Sequence, residues 1–104
     1  MSQHQIPLNS PRLGVVQVTV GFDATLQEAF FTYFNKQAQY ASGGGLAVAD
    51  LQGLCVAQLG VALPQQVLDA VHADVADLRL GAQDVNRRLF QYDADGKEVL
   101  ARRW

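Results

Sequence analysis

The chain carries a single cysteine, Cys55. No intrachain disulfide can form, so a disulfide-stapled scaffold is excluded. Charge is scarce as well: 17% of the residues are charged, against roughly a quarter in an average protein. Sparse charge leaves part of the surface neutral or apolar, which makes a protein partner or a homodimer an expectation. The net charge of −2 supplies no field to draw the chain to nucleic acid or to a membrane. No apolar run reaches membrane-spanning length. The opening MSQHQIPLNSPR lacks the basic and apolar regions of a signal peptide. A cytoplasmic protein is therefore expected, and the richness in Ala, Val, Leu, Gln and Arg suggests a GC-rich bacterial genome. Catalytic, cofactor and metal motifs are missing too, so the expectation is a non-enzyme with no cofactor and no metal site.

What is present fits one domain of 104 residues. Residues 1–11, polar and holding Pro7 and Pro11, read as a flexible arm, and His4 within it carries no role. Residues 12–104 form the globular part. From Arg12 to Phe22 the valines Val16, Val18 and Val20 alternate with polar residues, the pattern of a strand. Within the segment Phe22 to Ala41, the eleven residues Phe30 to Tyr40 hold three Phe and two Tyr, more than half of the aromatic residues. At 100° per residue, Leu26, Ala29, Phe30, Tyr33 and Phe34 share one side, which predicts a helix with Phe30 and Phe34 in the core and Phe31 at its edge. Thr25 and Glu28 fit a capping box, and Gly43, Gly44 and Gly45 end that helix.

A second helix is expected over Leu46 to Leu59, with Cys55 on its apolar stripe as a small buried hydrophobe. Pro64 opens a third that runs to about Ala76 and turns Val67, Leu68 and Val71 inward. His72 lies at the edge of that face, while Asp69, Asp74 and Asp77 read as solvated. Residues 78–86 read as either a short helical turn or a loop. A hairpin then joins Arg88–Tyr92 to Lys97–Arg102 through Asp93-Ala94-Asp95-Gly96. A three-residue loop with Gly96 left-handed puts Asp93 opposite Lys97 and Phe90 opposite Leu100, and it avoids the like-charge pairs of a two-residue turn. The fold class that follows is α+β: one N-terminal strand, three helices and a C-terminal β-hairpin in a small antiparallel sheet.

The runs LQEAFFTYFN, GGGLAVADLQGL and QLGVALPQQVLDAV resemble an EF-hand pair of the calmodulin type. Gly44, Leu46 and Asp50 stand where that loop has its turn glycine, central aliphatic residue and terminal acid. The positions that need side-chain oxygens hold Gln39, Ala41 and Gly43, and calcium prefers six to eight oxygen ligands. In the second DADG loop, Glu98 replaces the glycine and Trp104 the acid. What the resemblance implies is a mostly α fold of degenerate helix pairs without a calcium site, the alternative to α+β. A helix-turn-helix over Asp50 to Val71 fits less well, because its second helix offers phosphate no Lys or Arg.

Six of the eight Lys and Arg residues lie at or after Arg79. The hairpin gathers Arg87, Arg88, Arg102 and Arg103 at its open end, beside Trp104 and in line with Tyr92. Arg, Trp and Tyr are the composition of interface anchors, and Arg forks suit carboxylates. The expected function is that of a small non-enzymatic binding or regulatory protein, such as an inhibitor, an immunity or antitoxin-like factor or an accessory subunit. These six residues would contact another protein with an acidic surface. A nucleic-acid-binding regulator using the same arginines is one alternative. A small enzyme pairing His72 with Asp69 or Asp74 is the other.

Overall fold

The structure, a computed structural model, describes residues Met1–Trp104. Strands β1 (Gln3–Ser10), β2 (Gly14–Asp23), β3 (Glu28–Phe34) and β4 (Gln39–Ala41) come first. Helices α1 (Leu51–Leu59) and α2 (Gln65–Arg79) follow, and strands β5 (Arg88–Tyr92) and β6 (Glu98–Arg103) close the chain. Single 3₁₀ turns at Val48–Asp50 and Val85–Arg87 precede α1 and β5. All six strands join one sheet in the order β4-β3-β2-β1-β5-β6. The β1–β5 pairing is parallel and the others are antiparallel.

Both helices cover one face of this sheet. Ile6 and Leu8 of β1, Val16, Val18 and Val20 of β2, and Phe31 of β3 meet Leu51, Cys55 and Leu59 of α1 and Val67 and Val71 of α2 in a single core. α1 stops at Gly60, whose φ of 72° is cheap only for glycine. Cys55 is buried with its thiol donating to the Val61 carbonyl, and burial pushes its pKa up to about 11. It is a core residue, not a nucleophile.

The sheet corrects the expected architecture of three helices and a small hairpin sheet. The segment Phe22 to Ala41 is not a helix but two strands and their connections. Its aromatics satisfy period two as well as period 3.6, since Ala29, Phe31 and Tyr33 alternate with Phe30, Thr32 and Phe34. Aromatic and β-branched residues favour a pleated surface, and a seven-residue register with β2 decides the matter. Phe31 is therefore fully buried and Phe34 is 60% exposed, the reverse of the helical reading. The capping box is absent. Asp23 Oδ1 accepts the N–H groups of Thr25 and Leu26 in a turn between β2 and β3, and Gln27 sits at φ 53°. With strands in place of the first helix, the alternative of EF-hand-like helix pairs falls as well.

The supposed arm of residues 1–11 holds an interior strand. β1 pairs with β2 along seven residues and with β5 at Gln3, His4 and Gln5. Its alternation, with His4, Ile6, Leu8 and Ser10 inward, is carried half by polar residues. Pro7 lies beyond the reach of β5, where β1 has one neighbour, and such a position tolerates the missing N–H. Gly21 of β2 is required nearby, because a Cβ there would lie 1.9 Å from the Ser2 carbonyl oxygen.

The hairpin turn is as expected: Gly96 has φ 85°, and the Asp93 N–H donates to the Lys97 carbonyl at 2.8 Å. The register then shifts by one between Gln91 and Tyr92. Phe90 consequently faces Ala101, not Leu100, and Arg88 faces Arg103.

Candidate functional site

Arg88 begins β5 with its side chain pointing under the helices, 5% exposed. Its Nη1 donates to Asp74 Oδ1 at 3.0 Å and to Asp77 Oδ2 at 2.8 Å. Nη2 and Nε donate to the two oxygens of Asp84 at 2.8 and 3.3 Å. Asp74 is buried on α2, and its Oδ2 lies 2.6 Å from His4 Nε2. His4 Nδ1 lies 2.8 Å from the Tyr92 hydroxyl, and the ring stacks on Phe90 at 4.8 Å. Both ring nitrogens of His4 are thus partnered, Nε2 by the Asp74 carboxylate and Nδ1 by the Tyr92 hydroxyl. No buried side-chain nitrogen or oxygen lacks a partner. One chain of hydrogen bonds thus ties β1, α2, β5 and the Asp84 turn together.

Burial raises the pKa of Asp74, but hydrogen bonds and charge from His4, with further hydrogen bonds from Ser2 and Arg88, leave it below the ordinary carboxylate range. Asp84 is lowered too, first by its hydrogen bond to Arg88. Burial, and then the negative charges of Glu98 and Asp74, push the Tyr92 hydroxyl well up. A Tyr–His–Asp series has the order of a proton relay. Here the histidine is 0% exposed and the hydroxyl is held protonated, so the series leaves no place for a substrate. Its work is to fix strands and helix.

The lowered carboxyls set a pH dependence. A folded pKa below the unfolded value of about 3.9 gives stability that is complete above that value and lost as pH falls through the folded pKa. The melting temperature is expected to fall below about pH 4, and less steeply in Asp84→Asn, as thermal melts across the acid range would record. A melting temperature unchanged down to pH 2 would contradict this network.

Of the six residues expected to meet a partner, the structure places two inside. Arg88 and Tyr92 are 5% and 6% exposed and fully engaged, because period two turns both under the helices. Arg87, Arg102, Arg103 and Trp104 are exposed. They come together at the end of the sheet: Arg88 faces Arg103, Leu89 faces Arg102, and the Trp104 N–H donates to the Arg87 carbonyl at 3.1 Å. Arg103 Nε lies 3.8 Å from Asp84, the one acid within ion-pair reach of these three arginines. β6 is also an edge strand. Alternate residues of such a strand leave N–H and C=O groups facing outward, unpaired.

His72 is exposed and lines a groove with Phe22, Leu46, Val48, Val75 and Arg79. The acids once paired with it lie elsewhere. Asp74 is turned to His4 and Arg88, and Asp69 accepts from Gln65. No group of three or more His, Cys, Asp or Glu residues is placed to hold a metal ion. No helix is long and apolar enough to cross a membrane.

Sequence reasoning missed His4 and Asp74. Both had a signal: Val67, Val71 and Asp74 share one helical stripe, and His4, Ile6 and Leu8 share one strand face. The chain matches no known family, no curated protein and no solved structure.

Proposed function

We propose that this chain is a small protein-binding module, without catalysis of its own, that takes an extended acidic segment of another protein along the free edge of β6. The observation that carries this reading is the coincidence of an open strand edge with three exposed arginines, Arg87, Arg102 and Arg103, and with Trp104, 58% exposed. An added strand gains affinity from main-chain hydrogen bonds and specificity from the side chains at its flank. Guanidinium forks suit carboxylates there, and the arginines have too few acids of their own to be neutralised. A regulatory or accessory role follows for a protein this small, with Arg88 and Tyr92 supporting the strand from beneath.

Selection from a random linear-peptide display library tests the proposal. Acidic sequences are expected, with amide shifts in NMR spectra concentrated on Glu98–Arg103. The variant Arg87→Glu/Arg102→Glu/Arg103→Glu should melt like the wild type and lose these peptides at least about tenfold, since like charges across an interface cost several kcal/mol. Equal binding by the folded variant, or shifts confined to the helices, would sink the proposal. Salt-sensitive retention on DNA or RNA columns, lost in the same variant, would replace it with nucleic-acid binding.

A further inference from the structure

The face of the sheet opposite the helices has no covering layer. One row crosses all six strands there: Ala41, Thr32, Thr19, Gln5, Gln91 and Leu100, each in register with the next. No member is charged. Beside the row, Phe34 and Val15 are 60% and 63% exposed. Arg102 is the one charged strand residue on this face away from the β2–β3 turn, where Asp23 and Glu28 direct their carboxylates to backbone N–H groups, and Lys36 stands at its corner beside Val15 and Phe34. A solvated sheet face ordinarily carries Lys and Glu, and loss of charge from the centre of a patch marks an interface core.

We infer that this uncovered face is where two copies of the chain pack, sheet against sheet, about a two-fold axis. Three observations select a second copy as the occupant. A charged partner would lose its hydration here and meet no counter-charge, whereas a neutral face opposes its own image without repulsion. Glutamine amides both donate and accept, so glutamine can pair with glutamine. The face already shows this within one chain, as Gln91 Nε2 donates to Gln5 Oε1 at 2.9 Å. The area is adequate: six strands about 4.8 Å apart and about seven residues long span roughly 650 Å² in projection. Side-chain relief brings that close to the roughly 800 Å² per partner of a standard stable interface. The face meets the β6 edge only at Leu100 and Arg102, so Gln5 and Thr19 probe the face alone and Arg87 and Arg103 the edge alone.

Light scattering on an eluting column, over a concentration series, is the test. The wild type is expected to show the mass of two chains, and Gln5→Lys/Thr19→Lys the mass of one with unchanged circular dichroism. Like charges at the centre should weaken the dimer at least about tenfold. Arg87→Glu/Arg103→Glu, which leaves the residues of this face unchanged, should remain a dimer. Dilution of the wild type, which needs no mutation, should shift amides at Gln5 and Thr19 and leave those of α1 and α2 in place. A wild-type monomer at every concentration would overturn the inference, as would a lysine variant that stays dimeric or dilution shifts confined to β6.

Discussion

Replacing Arg88 by methionine is expected to destabilise the protein by about 3–5 kcal/mol, a large part of the 5–15 kcal/mol that holds a domain together. Methionine keeps most of the apolar stem but removes every donor. Asp74 would remain buried with His4 as its remaining strong partner, and Asp77 and Asp84 would lose the charge that brings them together. The loss arises from the uncompensated carboxylate more than from the missing attraction, because Asp77 and Asp84 are 45% and 42% exposed and can return to water. Arg102→Met, on the exposed edge, should stay within about 0.5 kcal/mol. Urea unfolding of both variants measures the contrast. A loss at Arg88 as small as at Arg102 would show that the guanidinium is not buried in solution.

The second large effect separates a strand from a helix. Phe31→Ala should cost about 3–5 kcal/mol, and Phe34→Ala less than about 1 kcal/mol. Phe31 is fully buried, edge-on to Tyr33 and Tyr40 at 6.2 and 6.1 Å, so its removal leaves a cavity lined by rings. Phe34 lies three residues on, at the opposite parity, and faces solvent. A helical segment would give the reverse ranking. Equal losses at both positions would rule out the pairing of β3 with β2.

Where the sequence was legible, the signal was local and had one reading. β2 alternates valines, α1 and α2 are bounded by Gly60 and Pro64, and the Asp93–Gly96 turn needs one glycine at positive φ. β3 was not legible because its aromatics fit two periods, and only the neighbouring strand distinguishes them. β1 was not legible because half of its inward face is polar. His4 and Ser10 earn burial through bonds to residues far along the chain, Asp74 and Leu59. The arginine cluster was legible as a cluster but not in its division. A single bulge beside Gln91 sets the register, and burial of Arg88 requires three carboxylates from α2 and its following turn.

The placement of β1 points to an order of assembly. His4 and Tyr92, joined by a hydrogen bond, are separated by 88 positions. On the ribosome β1 emerges long before its parallel partner, whereas β2, separated from β1 by three residues, is available almost at once. The first four strands and both helices can therefore gather while one edge of β1 is still bare, and the closing step is the arrival of the β5–β6 hairpin, itself a local structure that forms quickly. Until Arg88 arrives with that hairpin, Asp74 has only His4 and Asp77 lacks its guanidinium partner, and an incompletely paired carboxylate keeps its water. On that order the end of α2 would stay wet until the last strand pair is in place, which would oppose collapse of the half-made sheet onto the wrong neighbour.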